Sequence, residues 1–220
     1  MSSHVLVTDF DGTITRRDFY SCVVENLLMP NDLEPWHLYT SGRITHFEAL
    51  RRIFANIRAN EADLEEVMQA MNIDPDLRAG FERLRDAGWE VIIVSNGCQW
   101  YIDRFLAGAG VTAPVYSNPG RFDPAHGLIM ELPTDSPYFD PETGIDKRAV
   151  VEDYRSQGAA VAFAGDGRPD VAAAAKKAVG KALSDILGGS SEKSKDDGSD
   201  KPDSVEDTVK GFLKQLPFGD

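Results

Sequence analysis

Three short apolar runs in this chain each stop at a polar turn. His4-Val-Leu-Val-Thr8 opens into Asp9-Phe-Asp-Gly12, Trp89 to Val94 into Ser95-Asn-Gly97, and Ala159 to Ala164 into Gly165-Asp-Gly-Arg-Pro-Asp170. Apolar, β-type runs of this length are the pattern of strands covered on both faces, as in a parallel sheet. Val111 to Tyr116 is a further strand candidate. Helical patterns separate these runs: Asp76 to Arg85, Gln99 to Leu106, and Lys147 to Gln157 capped by Asp146. The alternation predicts an α/β fold, a doubly wound (Rossmann-like) parallel sheet. Ligands in such folds bind at the carboxyl ends of the strands, where Asp9, Ser95 and Asp166 all stand.

The stretch between the first and second strands is too long for one crossover. Phe19, Cys22, Val23 and Leu27 share a helical face, as do Phe47, Leu50, Phe54 and Ile57, and Glu61 to Met71 is a third helix. These predict a small helical cap over residues 16–79, inserted after the first strand into a core of residues 1–15 and 80–187. Residues 117–143, rich in Pro, Gly, Asp and Asn, are expected to form a loop with a short hairpin at Leu128 to Leu132. Gly188 to Asp207 carries three lysines against seven acids and a single large apolar residue, Val205, so a disordered acidic linker is expected there. Residues 208–220 are expected to close the chain with a short helix.

Composition narrows the function. The 220 residues hold 23 Lys+Arg against 36 Asp+Glu, a formal charge of −13. That balance excludes a broad surface for nucleic acid or anionic lipid. It does not exclude an anionic metabolite, because a bound cation reverses the local field. Two cysteines form no CxxC pair, and no Cys/His cluster suggests zinc. No apolar run, Val91 to Val94 included, approaches the ~18 residues of a membrane helix, and the N-terminus has no secretory pattern, so a cytoplasmic protein with no membrane partner is expected. Monomer and homodimer remain equally open.

Carboxylates converging on one sheet edge repel and raise one another's pKa unless a cation joins them. Hard oxygen ligands in an open site suit Mg²⁺, and an ionised Asp beside it can attack phosphorus to give an aspartyl-phosphate. Ser95 and Lys147 would then offer a hydroxyl and a cation to phosphoryl oxygens.

Asp9-Phe-Asp-Gly-Thr-Ile-Thr15, Val91-Ile-Ile-Val-Ser-Asn-Gly97, Lys147 and Gly165-Asp-Gly-Arg-Pro-Asp170 resemble, in order, the four motifs of the haloacid dehalogenase (HAD) superfamily. The resemblance implies a phosphatase with Asp9 as nucleophile and Asp11 as general acid/base. Asp9, Asp11, Asp166 and Asp170 would hold Mg²⁺, while Ser95, Asn96 and Lys147 would hold the phosphate of a small phosphorylated metabolite. A cap in this position resembles the phosphoserine-phosphatase-like branch, with Asp18 standing where those enzymes carry a substrate-reading Glu. Thr40 to Leu50 is more similar to methionine-salvage phosphatases acting on 2-hydroxy-3-keto-5-methylthiopentenyl phosphate, and Arg43 in that run is a candidate for substrate contact. A phosphoserine phosphatase, a phosphotransferase or phosphomutase, and a non-catalytic HAD-like protein are the alternatives.

Overall fold

A computed structural model of the chain describes residues 4–165. The expected metal ligands Asp166 and Asp170, the acidic linker and the C-terminal helix lie outside the described residues.

The central sheet has the order β3-β2-β1-β8, built from β1 (His4–Thr8), β2 (Trp89–Cys98), β3 (Val115–Asn118) and β8 (Ala160–Ala164). All its pairings are parallel. Alternation along the strands sends side chains to two faces. Val5, Val7, Ile92, Val94 and Val161 pack with Val150 and Val151 of α7 (Lys147–Ser156). Val91 and Ile93 join the larger core on the other face, with Phe10 and the remaining helices.

Those helices are α1 (Phe19–Asn26), α2 (Glu34–Thr40), α3 (His46–Phe54) and α4 (Glu61–Ala70) between the first two strands. α5 (Leu77–Asp86) leads into β2, and α6 (Gln99–Ala109) follows it. The predicted helical faces are the buried ones: Phe19, Cys22 and Val23 on α1, and Phe47, Leu50 and Phe54 on α3 with Ile57 beyond it. Asp18, Thr45 and Asn60 cap α1, α3 and α4 by accepting backbone N–H bonds. The two ends of this helical stretch meet, since Thr15 bridges Ile73 and the Arg16 and Arg17 N–H groups donate to the Asn72 and Met71 carbonyls.

Several boundaries differ from expectation. β2 continues through Ser95-Asn-Gly97 to Cys98, which pairs with Asn118 after an irregularity in register. β3 begins at Val115, not Val111, because the Val111 N–H is taken by the Leu106 carbonyl closing α6, and the Pro114 carbonyl accepts from Ile93. The hairpin expected at Leu128 to Leu132 lies earlier, as β4 (Gly120–Asp123) with β5 (Gly127–Met130). A second, two-residue ladder follows, β6 (Phe139–Asp140) with β7 (Gly144–Ile145), which sequence patterning did not suggest.

Candidate active site

The crossovers from β1 to β2 and from β2 to β3 lie on one face of the sheet, and α7 lies on the other. The β1 end is therefore a switch point with an open crevice. Asp9 stands there, 7% exposed, its N–H donating to the Ala164 carbonyl at 2.8 Å. Asp9 Oδ1 accepts from the Phe10 N–H at 2.7 Å, and Oδ2 pairs with Lys147 Nζ at 2.5 Å. Lys147 is 138 residues away in sequence. It reaches Asp9 because Asp146 caps α7, accepting from the Arg148 and Ala149 N–H groups, and so starts that helix at the sheet edge.

Phe10 drives its ring into the core, leaving Asp9 and Asp11 on the crevice side. Asp11 is gripped by three donors. Oδ1 accepts from the Phe19 N–H at 3.0 Å, while Oδ2 accepts from Tyr101 Oη at 2.7 Å and Ser95 Oγ at 3.3 Å. Burial pushes the Asp11 carboxyl up to about 6, helped by the charges of Asp9 and Asp18 and opposed by the bonds from Phe19 and Tyr101. A carboxyl titrating there can both give and take a proton near neutral pH.

Ser95, fully buried, also accepts the Gly97 N–H at 2.9 Å. Asn96 lines the cavity, and its side-chain amide donates to the carbonyls of Ile145 (2.7 Å) and Thr143 (3.4 Å), fastening the segment that leads to Lys147. Asn118, wholly buried, reinforces it by donating to the Asn96 carbonyl at 2.7 Å and the Thr143 carbonyl at 3.1 Å.

A cavity of about 980 Å³ opens above these groups. Asp18 lines it while capping α1 through Ser21. Tyr20, Trp36, Tyr39 and His46 line its helical side as a contiguous aromatic group, with Tyr20 stacked on Trp36 at 4.7 Å. Arg43 is not among the lining residues; it is exposed, and its Nε donates to Ser41 Oγ. Glu142 joins the helical side to the sheet side, since its carboxylate accepts the His46 N–H and its carbonyl the Phe47 N–H.

Six acids line the cavity (Asp9, Asp11, Asp18, Asp140, Glu142 and Asp146) against Lys147 and Arg148, and Arg148 is paired with Glu152. The crevice is therefore rich in hard oxygen donors and short of positive charge, which fits a divalent cation such as Mg²⁺. Among the described residues no group of three or more His, Cys, Asp or Glu side chains is gathered to hold a metal.

Sequence reading missed Tyr101, Asn118 and Glu142.

The parallel sheet thus carries an Asp-x-Asp loop at its switch point, with Lys147 paired to Asp9. The chain belongs to the family described as "Putative Phosphatase", which matches residues 4–181. Solved structures share the fold. A HAD-family hydrolase from Salmonella enterica serovar Typhi aligns with a TM-score of 0.58 and 17% identity over 77% of this chain and 58% of its own. A probable phosphoserine phosphatase from Vibrio cholerae gives 0.54 and 18%, over 80% of this chain and 53% of its own. A phospho-aspartyl intermediate analogue of phosphoserine phosphatase gives 0.53 and 13%, over 76% and 79%. The chain thus spans little more than half the length of the first and second of these. Comparison with curated proteins finds no match. No helix among the described residues is long and apolar enough to cross a membrane.

Proposed function

We propose that this protein is a Mg²⁺-dependent phosphomonoesterase that works through an aspartyl-phosphate on Asp9. The supporting observation is the Lys147–Asp9 pair at the end of β1, with Asp11 two residues on and held by three donors. In this reading the Asp9 carboxylate attacks phosphorus and the ester P–O bond breaks. Asp11 gives its proton to the departing oxygen. Water then loses a proton to Asp11 and attacks the same phosphorus, releasing inorganic phosphate and restoring the Asp9 carboxylate. Ser95 and Lys147 hold phosphoryl oxygens through both steps. The Asp9 carboxylate, the Asp11 carbonyl, Asp166 and Asp170 would hold Mg²⁺, which when bound offsets the charge of the phosphoryl group.

Helices α1 to α4 act as the cap in this reading, and the substrate is a small metabolite whose organic part lies between Asp18 and the aromatic group. The first candidate is the methylthio-bearing phosphate suggested by residues 40–50, because a thioether packs well against Tyr20, Trp36 and Tyr39. Two buried, free thiols fit a reducing, cytoplasmic setting.

The test is phosphate release from p-nitrophenyl phosphate and from a panel including phosphoserine and the methylthio-pentenyl ester. Release is expected to vanish in EDTA and to return with added Mg²⁺. Release unaffected by EDTA would overturn the metal assignment. Transfer of the phosphoryl group to an added alcohol, with none to water, would favour a transferase instead.

A further inference from the structure

We propose that Tyr101 is a positioning residue for Asp11, holding the acid/base carboxyl in one plane while a proton passes through it. The inference rests on the reading of Asp11 as the group that protonates the leaving oxygen.

Tyr101 lies on the first turns of α6, 1% exposed, and its hydroxyl donates to Asp11 Oδ2 at 2.7 Å. Its ring stacks on Phe19 with centroids 4.1 Å apart and planes 15° from parallel, and packs near Phe10 at 6.1 Å. Phe19 is also the residue whose N–H donates to Asp11 Oδ1. One residue therefore fixes one carboxylate oxygen with its backbone and, with its ring, the donor to the other. The two oxygens are restrained from opposite sides, so rotation of the carboxyl breaks one bond or the other.

The surroundings leave the phenol no other place. Gly97 passes so close that a Cβ there would sit 1.7 Å from Tyr101 Oη and 2.8 Å from Cζ. A methyl group at position 97 would evict the hydroxyl from Asp11. Packing alone does not call for this hydroxyl, since phenylalanine fills the same apolar slot, and a buried hydroxyl is unfavourable unless it is bonded.

Removing the hydroxyl should matter in proportion to how much the leaving group needs a proton. An alkyl phosphate departs as a poor leaving group and depends on Asp11, whereas p-nitrophenolate departs without help. Tyr101→Phe is expected to lower kcat/KM, which reports the step in which the leaving group departs, by about tenfold or more for an alkyl phosphate and by no more than about twofold for p-nitrophenyl phosphate. Melting temperatures of both proteins, followed by circular dichroism, check that the fold persists. An equal loss on both esters, or no loss on either, would overturn the inference and leave the phosphatase reading standing. A wild-type protein that releases phosphate from neither ester would instead overturn both.

Discussion

Asp9→Asn is expected to remove phosphate release by on the order of 10³-fold or more while leaving the fold in place. Asparagine keeps the volume of the side chain and an oxygen that can accept the Phe10 N–H. It loses the negative charge that attacks phosphorus, and no described carboxylate can stand in for it. Asp11 is turned towards Phe19, Tyr101 and Ser95 by three hydrogen bonds, and Asp18 is engaged with Ser21. The structural cost comes from Lys147, whose side chain is 20% exposed and loses its partner. An ammonium that can still reach water costs about 1 kcal/mol, not the several of a fully buried orphan. Thermal melting should therefore separate the two effects, with the midpoint moving by only a few degrees while turnover disappears. Acid quenching of enzyme incubated with ³²P-labelled ester should leave label on the wild-type protein and none on the variant. Substantial turnover by Asp9→Asn would mean that Asp9 is only a turn-forming residue at the end of β1.

The parts of this site legible in sequence are those tied directly to an element boundary. Asp9 and Ser95 follow apolar runs, and Lys147 follows a capping Asp, so their positions could be read from where a pattern of period two or 3.6 begins or stops. The sheet was legible for the same reason, since Ile92 and Val94 pack towards α7 while Val91 and Ile93 pack into the opposite core, so the strand is apolar on both faces. What was not legible depends on side-chain direction. Tyr101 and Phe19 look like ordinary helix-core aromatics; periodicity places their rings but says nothing of a hydroxyl or an N–H aimed at Asp11. Asn118 was hidden because β3 starts four residues later than patterning suggests, so its place opposite Gly144 could not be inferred. Arg43 falls in the turn between α2 and α3, where no periodicity sets direction, and it is not among the residues that line the cavity. The Asn96 side chain, whose amide is held by carbonyls 47 and 49 residues away, is a long-range tie that no local pattern announces.

Gly144→Ala is the substitution expected to destabilise the fold most. Gly144 sits in β7 at φ +90°, and a Cβ there would lie 1.7 Å from Asn118 Oδ1 and 2.6 Å from its Cγ. Asn118 cannot withdraw, because it is wholly buried and its amide ties the Asn96 and Thr143 carbonyls together. Either those bonds break or β7 shifts. Backbone strain, together with the loss of buried hydrogen bonds, puts the cost at about 3–5 kcal/mol. For a chain of this size that corresponds to a fall in melting temperature of roughly 10 °C. The comparison that isolates the clash is Gly158→Ala, at φ +88° with nothing within 4 Å of the added carbon. That variant carries the backbone strain alone, about 1 kcal/mol. Similar losses in the two proteins would show that strain, not contact with Asn118, controls position 144. The catalytic consequence follows from chain connectivity. Lys147 lies two residues past Ile145, whose carbonyl is held by Asn96, so moving β7 draws the lysine away from Asp9. Gly144→Ala should therefore lose activity even at temperatures where it remains folded, whereas folded Gly158→Ala should keep it.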